Sequence, residues 1–110
     1  MKMEKPKTTR IYLSLPISGY DLQERIDTAM QMEVKLRGLG YDVFNPLGDG
    51  WINGLSTYDY MKHDIKALIE CDCVLFMYGW NRSAGCHTEL TVAVACGLDV
   101  MFEGISDIKL

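Results

Sequence analysis

Apolar and polar residues alternate along the chain between two spacings, short runs suited to strands and three- or four-residue steps suited to helices. Arg10–Ser14 (RIYLS) predicts a first strand after a solvated arm. Asp21–Leu39 predicts a helix, with Leu22, Ile26, Ala29, Met32 and Leu36 marking one face and Gly38 and Gly40 stopping it. Tyr41–Phe44 (YDVF) predicts a second strand, ended by Asn45 and Pro46. The loop that follows, LGDGWING, holds three glycines and Trp51 and is longer than most connections, which marks it as a candidate functional loop. Ser56 with Asp59 three residues later reads as a capping box, opening a helix that runs to about Glu70 with Met61, Ile65, Leu68 and Ile69 on its buried stripe. Cys73–Tyr78 (CVLFMY) is apolar at every position, as a strand covered on both faces should be. Gly79–Gly85 predicts a loop, Cys86–Cys96 a third helix ending at Gly97, and Asp99–Phe102 a fourth strand; the tail GISDIKL is weakly determined.

Strand and helix alternating through short connections predict one α/β domain over residues 1–110, with residues 1–9 as a flexible arm. The expected fold is a three-layer, flavodoxin-like (Rossmann-like) parallel sheet of about four strands with helices on both faces. Ligands of such sheets bind at the carboxyl ends of the strands, near the reversal in strand order. The loops at that edge are Leu15–Tyr20, Asn45–Gly54 and Gly79–Gly85, where glycine and polar residues concentrate. The site is therefore placed by topology before any motif.

Composition narrows the function. With 11 basic and 15 acidic residues the net charge is −4, which argues against a nucleic-acid groove. It leaves room for small anionic ligands held by backbone N–H groups and hydroxyls. The longest apolar run is too short to span a bilayer, and no apolar signal region follows MKMEKPKTTR, so the expectation is a cytoplasmic protein. Cys71, Cys73, Cys86 and Cys96 are then expected as reduced thiols, with Cys71, Cys73 and Cys96 at places for small buried hydrophobes, and their spacing does not suit zinc. No metal and no cofactor is expected.

Two carboxylates stand out because they fall on apolar faces. Asp64 lies between Met61 and Leu68 on the second helix; it either reaches solvent, pairs with Lys62 or Lys66, or has a chemical role. Glu89, in line with Ala93 and Cys96, is placed in the first turn of the third helix, where the helix dipole alone favours an acid. Converging on one cleft, the pair suits chemistry at an anomeric carbon, one acid attacking while the other serves the leaving group. Ser83, Gly85 and the helix start behind them offer donors to a phosphate or sugar hydroxyl. Tyr12 is either core or a hydroxyl aimed into the cleft, and His87 is read as a rim residue.

Taken together, Ile11–Gly19 (IYLSLPISG), Gly40–Pro46 (GYDVFNP), Tyr60–Ile65 (YMKHDI), Cys71–Val74 (CDCV) and Gly79–Gly85 (GWNRSAG) running into Glu89 resemble the nucleoside 2-deoxyribosyltransferase family. The likeness is greatest to its short, DUF4406-like bacterial and phage branch and to the related deoxynucleoside 5′-monophosphate N-glycosidases. It implies that Glu89 is the nucleophile, that Asp64 works with the leaving base, and that Tyr12 orients the nucleophile. It further implies that Ser83 holds a 5′-phosphate and that Ser18 lies in a phosphate-facing loop. The residues assigned to substrate contact are Ser14, Pro16, Ile17, Ser18, Gly19, Asn45, Trp51, Ser83 and Gly85. Leu15 departs from the family's usual glycine, and Ser18 from the basic residue that the monophosphate branch can carry. The chain also stops short of the family's C-terminal segment, for which Ser106 is the one position offered as a counterpart.

The resemblance implies an enzyme that cleaves or exchanges the N-glycosidic bond of a 2′-deoxynucleoside or its 5′-monophosphate. Its partner would be a small nucleoside or nucleotide, with no nucleic-acid polymer and no membrane. A homodimer or dimer-based oligomer is expected, because a chain this short leaves one side of the cleft open. The alternatives are a nucleotide-binding or sensing module without turnover and, on fold alone, a flavin carrier.

Overall fold

The computed structural model describes residues 8–48, 51 and 54–105. Most of the expected arm, part of the Trp51 loop, and Ser106 with the rest of the tail lie outside the described residues. The elements run β1 (Arg10–Ser14), α1 (Leu22–Gly38), β2 (Asp42–Phe44), α2 (Thr57–Ile69), β3 (Cys73–Phe76), α3 (Ala84–Ala95) and β4 (Asp99–Phe102), with a short 3₁₀ turn at Trp80–Arg82 before α3. All four strands are parallel in the order β2-β1-β3-β4. The chain leaves β1 toward one edge and returns through β3 toward the other, so the strand order reverses between β1 and β3. The carboxyl ends of those two strands are where a ligand crevice opens.

The two-residue period of a strand sorts the core into two layers. Ile11 and Leu13 of β1 with Cys73 and Leu75 of β3 face α1, against Ala29, Met32 and Leu36. Tyr12 of β1 with Val74 and Phe76 of β3 faces the other way, toward Leu68 of α2 and Cys86 and Ala93 of α3. Both faces are covered, which is why these strands carry almost no polar residues.

Each helix begins on a side-chain cap. The Asp21 carboxylate accepts the Glu24 N–H at 3.0 Å, Ser56 Oγ accepts the Asp59 N–H at 3.1 Å, and Ser83 Oγ accepts the Cys86 N–H at 3.2 Å. The Ser83 cap starts α3 two residues earlier than expected, and Glu89 therefore sits in the second turn rather than the first.

Other expectations are corrected. Leu22, 38% exposed, opens α1 beyond the sheet, and the buried position on that turn is Arg25. Ile69 is half exposed, because it closes α2 immediately before the Glu70 cap. β3 stops at Phe76, and Tyr78 turns outward where Gly79, at φ +90°, bends the chain into the 3₁₀ turn. Cys71, Cys73 and Cys86 are buried free thiols, whereas Cys96 caps the end of α3 and is exposed. Among the described residues, no helix is long and apolar enough to cross a membrane.

Candidate active site

Tyr12 and Ser14 are two positions apart on β1, so both side chains leave the same face of the sheet. Both end on Glu89. The Tyr12 hydroxyl donates a short hydrogen bond to Oε2, and the Ser14 hydroxyl donates to Oε1 at 2.8 Å. Glu89 is only 7% exposed. Burial pushes its pKa up to about 7, the two hydroxyl bonds pull the other way, and the charge of Asp64 adds to the rise. Burial, followed by the charges of Glu89 and Asp64, drives the Tyr12 pKa well above the usual phenol value, so its hydroxyl stays a donor. The Tyr12 ring is fixed by stacking on Phe44, with centroids 5.3 Å apart.

Asp64 projects from the middle of α2, with its side chain 21% exposed. Its side-chain partner is His63, whose Nδ1 lies 3.3 Å away, rather than Lys62 or Lys66. Burial raises the Asp64 pKa and His63 offsets part of that rise. The carboxyl is thus drawn toward its protonated form, the state a general acid needs.

Glu89 and Asp64 open into one cleft of about 560 Å³. Its walls include Pro16, Ile17 and Ser18 from the loop after β1, Trp51 from the loop after β2, and Ser83 and Gly85 at the start of α3. Tyr12 and Ser14 stand behind Glu89 and hold it. Three residues assigned to substrate contact do not line the cleft: Ser14, which is buried behind Glu89 and bonded to it, Gly19 and Asn45. Gly19, at φ +85°, occupies a turn closed by the Tyr20 N–H on the Ile17 carbonyl at 3.2 Å. Asn45 braces its own loop, donating to Glu33 at 3.0 Å and accepting the Leu47 N–H at 2.9 Å. Leu15 is packed in the core with α1 and also reaches the cleft wall. His87 is turned aside, with Nε2–H donated to the Asn81 carbonyl at 2.8 Å and its ring against Trp80.

The cleft also holds residues that the pattern along the chain did not assign to it, among them Met61, which is expected on the buried stripe of α2 but is only half-buried and lines the cleft. Tyr60 and Met61 lie one helical turn before Asp64, a spacing that could have drawn attention to them. The Tyr60 ring stacks on Trp51 at 4.7 Å, with the planes 7° apart, giving the cleft a flat aromatic wall. Tyr20 forms part of one lip. Arg82, beside Ser83, is the cation among the described lining residues, and no described residue forms an ion pair with it.

A family model described as "Domain of unknown function (DUF4406)" matches residues 9–102. The chain belongs to that family. No curated protein sequence matches it. Among solved structures it is similar to a CMP N-glycosidase from Clostridium botulinum, with 24% identity over 86% of this chain and 70% of that one, at a TM-score of 0.61. It is also similar to a 2-deoxyribosyltransferase from the psychrotolerant bacterium Bacillus psychrosaccharolyticus, with 21% identity over 92% and 79% of the two chains, at a TM-score of 0.62. At these identities the likeness is one of fold, and the fold is the flavodoxin-like three-layer α/β arrangement.

Proposed function

We propose that this DUF4406 protein cleaves or exchanges the N-glycosidic bond of a 2′-deoxynucleoside or its 5′-monophosphate. The observation that carries the reading is the buried Glu89 carboxylate, gripped by Tyr12 and Ser14 at the cleft floor and facing the same space as Asp64. A carboxylate desolvated in this way is a stronger nucleophile than one in water, and a pKa of about 7 leaves a useful fraction ionised at neutral pH. The two hydroxyl bonds fix its direction of approach.

In this mechanism Glu89 attacks C1′ while the C–N bond breaks, and the base takes the bonding pair together with a proton from Asp64. The sugar is then held as an ester of Glu89. A second base resolves the ester in transfer, or water does so in hydrolysis. In hydrolysis the proton released by water returns to Asp64, so no external acid is consumed. The stacked Trp51–Tyr60 pair suits a flat base. Arg82, Ser83 and Ser18 suit a 5′-phosphate, to which the Ser83 hydroxyl can donate while its oxygen caps α3. The similarity in fold to an N-glycosidase and a deoxyribosyltransferase supports the same reading. A second copy of the chain would close the open side of the cleft, and sedimentation at micromolar concentration would then show a dimer or larger.

The test is chromatographic. The four 2′-deoxynucleosides and their 5′-monophosphates are incubated with the protein, with and without an acceptor base, and free base and exchanged product are measured. Release or exchange by the wild type that is abolished in a folded Glu89→Ala variant is expected. A silent panel, or undiminished activity in the variant, overturns the proposal.

A further inference from the structure

Arg25 is the buried charge that the apolar stripe of α1 does not explain. It is 8% exposed, on the same side of the helix as Ala29, Met32 and Leu36. Its guanidinium is directed at the loop after β1. Nε and Nη2 each donate to one oxygen of Glu24 at 2.5 Å, Nη1 reaches the Pro16 carbonyl at 3.4 Å, and the guanidinium carbon lies 4.5 Å from the centre of the Tyr20 ring. Gly79 holds the other side of that loop. A Cβ on Gly79 would stand 3.1 Å from both Pro16 Cγ and the Tyr20 hydroxyl, so both residues rest on its bare backbone. Pro16 and Tyr20 line the cleft, and Arg25 does not.

We propose that Arg25 is a positioning residue for substrate binding. It clamps Tyr20 and Pro16 against Gly79, sets the lip of the cleft, and acts through those two residues without touching the substrate. Arginine suits the task because one planar group meets a carboxylate, a carbonyl and a ring face together, which a lysine ammonium does not. The inference rests on the reading that this cleft is the substrate site, and its test separates the two.

Arg25→Met, Arg25→Lys, Tyr20→Leu and the Arg25→Met/Tyr20→Leu double variant are compared with the wild type. The first readout needs no activity: hydrogen exchange at the Tyr20 amide, whose N–H is bonded to the Ile17 carbonyl. Both Arg25 variants should exchange there about tenfold faster or more, with the β3 amides unchanged. The second readout uses whichever deoxynucleoside or monophosphate the wild type turns over. KM should rise about five- to tenfold with kcat held within about twofold, and in the Tyr20→Leu background Arg25→Met should add no more than about twofold, the part carried by Pro16. Unchanged Tyr20 exchange, exchange that rises equally throughout the core, or an Arg25→Met effect that is undiminished without Tyr20 would each overturn the clamp. If the wild type turns over no substrate, the proposed function fails and the exchange result still decides the clamp.

Discussion

The Tyr12 hydroxyl donates to the Glu89 carboxylate across 77 residues of sequence, joining the central strand to the third helix at the floor of the cleft. A tyrosine buried in a core needs a partner for its hydroxyl, and a buried carboxylate needs donors. Each meets the other's requirement, and Ser14 meets what remains. Tyr12→Phe keeps the ring and its stacking on Phe44 but removes one of the two bonds that lower the Glu89 pKa. The variant should lose about 10- to 100-fold in kcat, and the acid limb of its pH profile should move to higher pH. A profile measured from pH 5 to pH 9 checks both effects.

Glu89 must be ionised to attack, so wild-type kcat/KM should rise with pH through about 7. Stability should respond in the opposite sense. Folding raises the Glu89 pKa from its ordinary 4.5 to about 7. Its contribution is therefore fully present below pH 4.5 and is lost as pH climbs through 7. Glu89→Gln lacks this dependence. The variant should match the wild type near pH 4 and exceed it by up to about 3 kcal/mol at pH 8, read by urea unfolding at the two pH values.

If Asp64 protonates the departing base, its value depends on how poorly that base leaves. Asp64→Asn should slow release of natural bases by about 10²- to 10⁴-fold. A deoxyriboside with a good leaving group, such as a nitrophenolate, should be affected far less. Equal losses on both substrates would count against the acid role.

The strand–helix alternation and the three crevice loops were legible because they follow from period and turn chemistry alone. Glu89 and Asp64 were legible for a related reason: a carboxylate on an apolar face is anomalous wherever the helix packs. The partnership of Ser14 with Glu89 was not, since it depends on which helix covers the even face of β1. Arg25 was hidden because stripe counting expects Leu22 and Ile26 inside, and only the folded loop supplies its partners, Glu24, Pro16 and Tyr20. Placing Ser83 inside the Gly79–Gly85 loop, where it in fact caps α3, put Glu89 one turn too early. Asn45, assigned to the substrate, instead braces its loop through Glu33, a contact set by how α1 lies beside β2.

Arg82 gives the cleft a cation near Ser83 and separates two substrate classes. Arg82→Met should raise KM for a 5′-monophosphate by about 10- to 100-fold while leaving the nucleoside within about twofold. Parallel kinetics on one base in both forms measure the difference. An equal effect on both forms would remove the arginine from phosphate recognition.

The central claim is a covalent bond between the sugar and Glu89. The most direct measurement is acid-quenched incubation with a turned-over substrate, followed by mass spectrometry of the peptide that carries Glu89. A deoxyribosyl or deoxyribosyl-phosphate adduct on Glu89 in the wild type, absent from Glu89→Gln, is predicted. Base release that proceeds with no adduct on Glu89 and survives in Glu89→Gln would contradict the account.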